Sequence, residues 1–127
     1  MNPRKAYLID PGFAGLGVPF STNRGRLLEN MVAVELYRRK QEFFFHKERQ
    51  ECDFVFKSGT KPVLAAQVCW EITPQNEARE LNGLLEALTA WKIKDGLILT
   101  ANQETERVVE RRKIRIQPVW KWALGQK

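Results

Sequence analysis

Apolar residues recur along this chain with two different spacings, and the stretches where each holds predict the elements. Over residues 24–40 the spacing is three and four. Leu27, Leu28, Met31, Val32, Val34 and Leu36 fall on one arc of a helix, and Ser21, Thr22 and Asn23 offer capping oxygens before it. Over residues 74–92 the same spacing returns in Ala78, Leu81, Leu84, Leu85, Leu88 and Trp91, a stripe suited to packing on a sheet. Thr73 and Pro74 mark its start, a capping hydroxyl followed by a proline at the first helical position.

Elsewhere the spacing is two, or the run is apolar throughout. In ECDFVFKS, strict alternation puts Cys52, Phe54 and Phe56 on one face and Asp53, Val55 and Lys57 on the other. The turn Ser58-Gly59-Thr60-Lys61-Pro62 leads into residues 63–70, apolar except at Gln67, as a strand covered on both faces reads. Residues 42–46 (EFFFH) and 97–100 (LILT) are further strands. Residues 5–9 (KAYLI) read as a strand ended by Asp10-Pro11-Gly12, with a loop over 13–20. Val108-Val109 and residues 113–119 form a terminal hairpin or edge strand, and 120–124 a short closing helix. The order is strand, helix, three strands, helix, strand, strand, short helix: an α/β domain with a mixed central sheet between helices.

Some polar residues break this pattern. Glu35 falls inside the apolar arc of the first helix, where Arg38 or Arg39, one turn on, is its natural partner. Glu29 sits at the edge of that arc, either solvated or functional. Period two puts Gln67 and Cys69 on the same face of their strand, so with Asp53 a carboxylate, an amide and a thiol converge at mid-sheet, where polar groups need a reason to be. The plain reading makes Cys69 a small buried hydrophobe and Gln67 an amide bonded to neighbouring backbone or to Asp53. Asp53 is then a cap or ion-pair partner. His46, the single histidine, ends a strand and is assigned no chemistry.

Composition narrows the classes. At 127 residues the chain is one domain, spanning 1–127, with room for a single core. No apolar run is long enough to cross a membrane, and no GxxxxGK[ST] pattern occurs, so no membrane and no ATP binding are expected. Cys52 and Cys69 make no metal spacing, and a reduced, cytoplasmic setting is expected. A net charge of +6 with pI about 9.6 meets the basic-domain criterion for nucleic-acid contact. Arg111, Arg112, Lys113 and Arg115 gather part of that charge; they suit phosphate contact or an edge strand blunted against association.

The segments NPRKAYLIDPG, RGRLLENMVAVELYRR, ECDFVFKSG, LAAQVCWEI, GLILT and PVWKWAL together resemble the domain found C-terminal to the ATPase module of prokaryotic AAA-type ATPases, a member of the PD-(D/E)XK endonuclease-like superfamily. The resemblance spans essentially the whole chain. It implies a restriction-endonuclease-like fold and an ATPase module, absent here, as partner in cis or in trans. The chain is then an excised domain, a truncated product or a standalone relative.

The resemblance also implies a site. Superfamily nucleases carry an acid on the first helix, matched by Glu29, and an aspartate on one strand, matched by Asp53. The next strand carries an acid or glutamine two residues before a lysine; Gln67 matches the former, and Cys69 stands at the lysine position. In such a site Glu29, Asp53, Gln67 and the Val68 carbonyl would hold Mg²⁺, which stabilises phosphate charge and activates water. A thiol cannot supply the lysine's cation. Losing one such group costs roughly 10²–10³ in rate. Arg79 is a candidate substitute. Three functions stay open: a nuclease-fold domain with a degenerate site that binds DNA or regulates an ATPase, an active Mg²⁺-dependent DNA endonuclease, and a protein-interaction or homo-oligomerisation module.

Overall fold

The computed structural model describes residues 21–125; the strand expected at 5–9 and the loop at 13–20 lie outside them. Helix α1 (Ser21–Arg38) stops two residues short of its expected end, because Lys40 turns left-handed (φ 58°). There the Lys40 N–H bonds Tyr37 O at 3.0 Å and the Gln41 N–H bonds Leu36 O at 2.9 Å, which satisfies the last carbonyls. Strands β1 (Phe43–Lys47), β2 (Glu51–Ser58) and β3 (Lys61–Val68) form a meander. Helix α2 (Glu77–Trp91) crosses to β4 (Gly96–Thr100), and β5 (Thr105–Val109), β6 (Arg112–Pro118) and α3 (Val119–Ala123) follow.

The six strands make one sheet in the order β1-β2-β3-β4-β6-β5. Pairs β3–β4 and β4–β6 are parallel and the others antiparallel, so the sheet is mixed. Each face carries its own core. On one side Leu28, Val32 and Leu36 of α1 and Trp122 of α3 meet Phe54, Phe56, Ala66, Val68, Leu97 and Leu99. On the other, Leu84, Ala87 and Leu88 of α2 meet Val55, Ala65, Ile98, Ile114 and Ile116. The α/β architecture with a mixed sheet between helices is therefore as the hydrophobic spacing implies.

The alternation expected in β2 fails at one point, next to Asp53. Against β1, His46 pairs with Cys52 but Phe44 pairs with Val55, so β2 spends one residue more than its neighbour. This is a β-bulge, which shifts the phase of the side chains. Cys52 consequently packs with Val55 on the α2 side, while Phe54 and Phe56 face α1. The backbone register between β2 and β3 reaches only to Phe54 opposite Ala66.

Helix α2 also departs from its sequence stripe. Residues 74–76 form a turn, pinned by Thr73 N–H to Asn76 Oδ1 at 2.9 Å and by Asn76 N–H to Thr73 Oγ1 at 3.3 Å. The buried positions are Glu80, Gly83, Leu84, Ala87 and Leu88, while Ala78 and Trp91 are exposed. The arc turns toward its small residues because α2 comes very close to the sheet. A Cβ on Gly83 would overlap Glu51 O and lie 2.6 Å from Gln67 Nε2.

The β5–β6 hairpin closes at Val109 opposite Arg112, leaving a two-residue turn of Glu110 (φ 53°) and Arg111 (φ 66°). Both lie in the left-handed region, the arrangement that suits Asn-Gly. A side chain with Cβ costs roughly 1–2 kcal/mol at each such position. No helix among the described residues is long and apolar enough to cross a membrane.

Candidate functional site

Where the β2–β3 ladder stops, side chains take over the backbone's hydrogen bonds. Gln67 points to the α2 side. Its Oε1 accepts the Asp53 N–H at 2.9 Å, and its Nε2 donates to Glu51 O at 2.9 Å and to Glu80 O at 3.1 Å. One amide thus ties β2, β3 and α2 together. Asp53 answers from the opposite strand, its Oδ2 accepting the Val68 N–H at 2.8 Å. The bulge and the bare surface of Gly83 make both arrangements possible.

Cys69 lies just past the end of β3, its N–H still bonded to Leu99 O at 3.0 Å. Burial pushes its thiol up to about 12, and the Glu80 and Asp53 carboxylates add to the effect. The Arg79 guanidinium and the Glu71 N–H pull weakly the other way. The thiol is therefore protonated at neutral pH and offers neither a charge nor a ready nucleophile. Glu80, which no motif marked, is a buried member of this cluster and pairs with the exposed Arg79 at 3.2 Å. Its signal was in the sequence: it precedes Leu84 by four and Ala87 by seven, a charge inside the apolar arc of α2.

The structure draws Asp53, Gln67, Cys69, Glu80 and Arg79 around one end of β3. Glu29 is half-buried on α1, whose core contacts are with the opposite face of the sheet from Gln67 and Cys69. The Val68 carbonyl belongs to a residue buried on that same α1 face. A hard divalent cation wants oxygen donors in an octahedral shell. Three members of the cluster suit that need poorly: Gln67 is committed to three backbone groups, Cys69 is a neutral thiol, and Glu80 carries a guanidinium.

A second polar cluster lies between β1 and α2. His46 is buried, with Nε2 2.9 Å from Glu86 Oε1 and 3.8 Å from Glu48 Oε1, a grouping of metal-ligand type. Its other nitrogen decides the matter. The Trp91 indole N–H reaches Nδ1 at 3.1 Å, and an indole can only donate. Nδ1 is thus the acceptor, and Nε2 carries the proton that it gives to Glu86. A histidine ligating through Nε2 needs a proton on Nδ1 instead. Burial works to raise the Glu86 carboxyl, but the bonds from His46 and the Gln50 N–H outweigh it and hold the carboxyl below its usual range. The cluster is a clamp, and His46 is structural, as its place at a strand end suggests.

The basic residues grouped by sequence divide between two faces. Arg112 turns to α2, its Nη1 3.0 Å from Thr89 Oγ1, on the same side as buried Ile114 and Ile116. Lys113 and Arg115 face the opposite way, and Arg111 stands at the turn.

The chain is thus an α/β domain with a mixed six-stranded sheet, helices on both faces, and a polar cluster where the central hairpin opens. It belongs to the family described as "Domain of unknown function (DUF4143)", whose model matches residues 24–122. It is similar to the uncharacterized protein MJ1544 of Methanocaldococcus jannaschii, 34% identical over 131 residues, an alignment covering 94% of this chain. The chain spans 29% of the length of that relative. Among solved structures it is similar to a chain of the refined half-complex from the tetradecameric assembly of Thermococcus gammatolerans McrB AAA+ hexamers with bound McrC. That match has a TM-score of 0.48 and 18% identity, over 74% of this chain and 27% of the other.

Proposed function

We propose that this chain is a restriction-endonuclease-like domain with a degenerate site, serving DNA binding or the regulation of an ATPase module in cis or in trans. The observation that carries the reading is the Cys69 thiol, kept protonated beside the Asp53 and Glu80 carboxylates at the position where the nuclease resemblance calls for lysine. A neutral thiol offers no charge to a phosphate or to an attacking water. Of its neighbours, Gln67 is committed to three backbone groups and Glu80 to a guanidinium, which suits a hard cation poorly. The net charge of +6 supports contact with a polyanion.

The test uses supercoiled plasmid and millimolar Mg²⁺ with the purified chain. The expected result is intact plasmid, together with duplex binding that weakens steeply as salt rises. Mg²⁺-dependent nicking that Asp53→Ala abolishes overturns the reading. Absence of salt-sensitive binding removes its DNA-binding half and leaves regulation of the ATPase.

One observation favours a second reading, an active DNase. The Arg79 guanidinium acts on the Cys69 thiol and pairs with Glu80, so a cation is present at the cluster. Under this reading the plasmid is nicked and Arg79→Ala stops the nicking while the chain stays folded.

A further inference from the structure

We propose that the β5–β6 ribbon is the element that docks on duplex DNA, laid along a groove with its open face toward the phosphates. This rests on the DNA-binding reading above and names the surface and the form of nucleic acid. Three observations carry it.

The first is the division of faces. Arg107, Arg112, Ile114 and Ile116 turn toward α2, where Arg107 Nε lies 3.4 Å from Glu77 and the isoleucines are buried. The pairs Val108–Lys113 and Glu106–Arg115 share the other face. That face is open. Val108 is 76% exposed, the most of any large apolar side chain among the described residues, and the Lys113 and Arg115 side chains are 57% and 42% exposed.

The second is the turn. Glu110 and Arg111 occupy a left-handed pair of positions where Asn-Gly is less strained. Folding alone gives no reason for a guanidinium there. Phosphate contact does, because the turn holds Arg111 at the tip, ahead of Lys113 and Arg115 along one strand.

The third is shape and charge together. A β-hairpin fits the major groove of B-DNA, roughly 12 Å wide, and the tip of this one, residues 108–113, lies beyond the β4–β6 ladder, which starts at Ile114. Three cations, Arg111, Lys113 and Arg115, follow one another from that tip along β6. On the open face Glu106 lies 4.0 Å from both Lys113 Nζ and Arg115 Nε. These separations are long enough for phosphates to displace it. An exposed Val108 between the charges suits contact with a thymine methyl or a sugar.

The experiment is fluorescence anisotropy of the full chain with a short duplex, the matching single strand, and polyglutamate as an acidic protein surrogate. Three phosphate contacts give a slope of about −2.7 in log K against log salt. Lys113→Ala and Arg115→Ala each reduce the slope by about 1 and weaken binding to all sequences alike. Glu106→Gln tightens binding. The decisive variant is Glu110→Asn with Arg111→Gly. It relieves the turn, so thermal unfolding shifts up by roughly 4 °C or more, yet it loses a phosphate contact and binds more weakly. A purely structural hairpin would gain stability with binding unchanged, and that outcome overturns the proposal. Tighter binding to single strand or to polyglutamate than to duplex also overturns it. Duplex binding with the same slope in all ribbon variants sinks the ribbon alone and leaves the DNA reading standing. No duplex binding by the wild-type chain at low salt sinks both.

Discussion

At the scale of single residues, polar groups placed against the hydrophobic pattern repaid attention unevenly. Glu35 is the simplest case. It takes Arg38 at 2.6 Å and Arg39 at 2.6 Å, and the hydrogen bond from Arg38 holds its carboxyl at about 2, well below the usual 4.5. A carboxyl with a lowered native pKa stabilises the fold above its unfolded pKa and loses that stabilisation as the pH falls through its native value. Glu35→Gln therefore lowers stability by roughly 0.5–1 kcal/mol above pH 5. The deficit closes between about pH 4.5 and 2. Urea midpoints across that range check it, and parallel curves for the two proteins would refute it. This pair was legible because partners one helical turn apart are fixed by local geometry. The bonds of Gln67 were legible only in kind. Backbone partners were expected for it, but a third partner on α2 depends on how closely a helix approaches a sheet, which no local spacing records.

At the scale of elements, the helices and strands followed the spacing of apolar residues, and the misses share one cause. Sequence periodicity gives a phase but not the place where that phase slips. The bulge beside Asp53 is invisible in Cys52-Asp53-Phe54-Val55, because these residues alternate acceptably in either phase. The stripe on α2 holds at its centre, where Leu84 and Leu88 are fully buried, but it omits Gly83 and Ala87, the small residues that close contact with the sheet selects. Replacing Gly83 separates the two effects. In an isolated helix Gly→Ala stabilises by about 1 kcal/mol. Here the added methyl meets Glu51 O and the Gln67 amide, and displacing them costs more than the propensity gain. Gly83→Ala should destabilise by at least about 2 kcal/mol in urea unfolding; a neutral or stabilised variant would show that α2 can lift from the sheet freely.

At the scale of the whole molecule, the mixed α/β architecture was readable because the order of elements admits few arrangements. The site was readable only in part. Gln67 and Cys69 share one face near the end of β3, as their spacing suggests, and Asp53 bonds to Gln67 and to the Val68 N–H. Glu29 is carried by α1, which packs on the face opposite Gln67, and Glu80 enters from α2. Membership of a layer is a property of topology, and a motif spaced along the chain does not contain it. The strand order has a further consequence. Strand β5 pairs only with β6 among the described strands, is exposed along most of its length, and turns back through a strained pair of residues. Few buried contacts and solvent-facing amides set a low free energy for local opening. Amide hydrogens of Thr105–Val109 should exchange with solvent faster than those of β4, by orders of magnitude, while β6 stays protected through its parallel pairing with Gly96–Thr100. Equal protection of β5 and β4 would contradict this. The ribbon's outer strand is then the part of the molecule with most to gain in order from any partner laid against it.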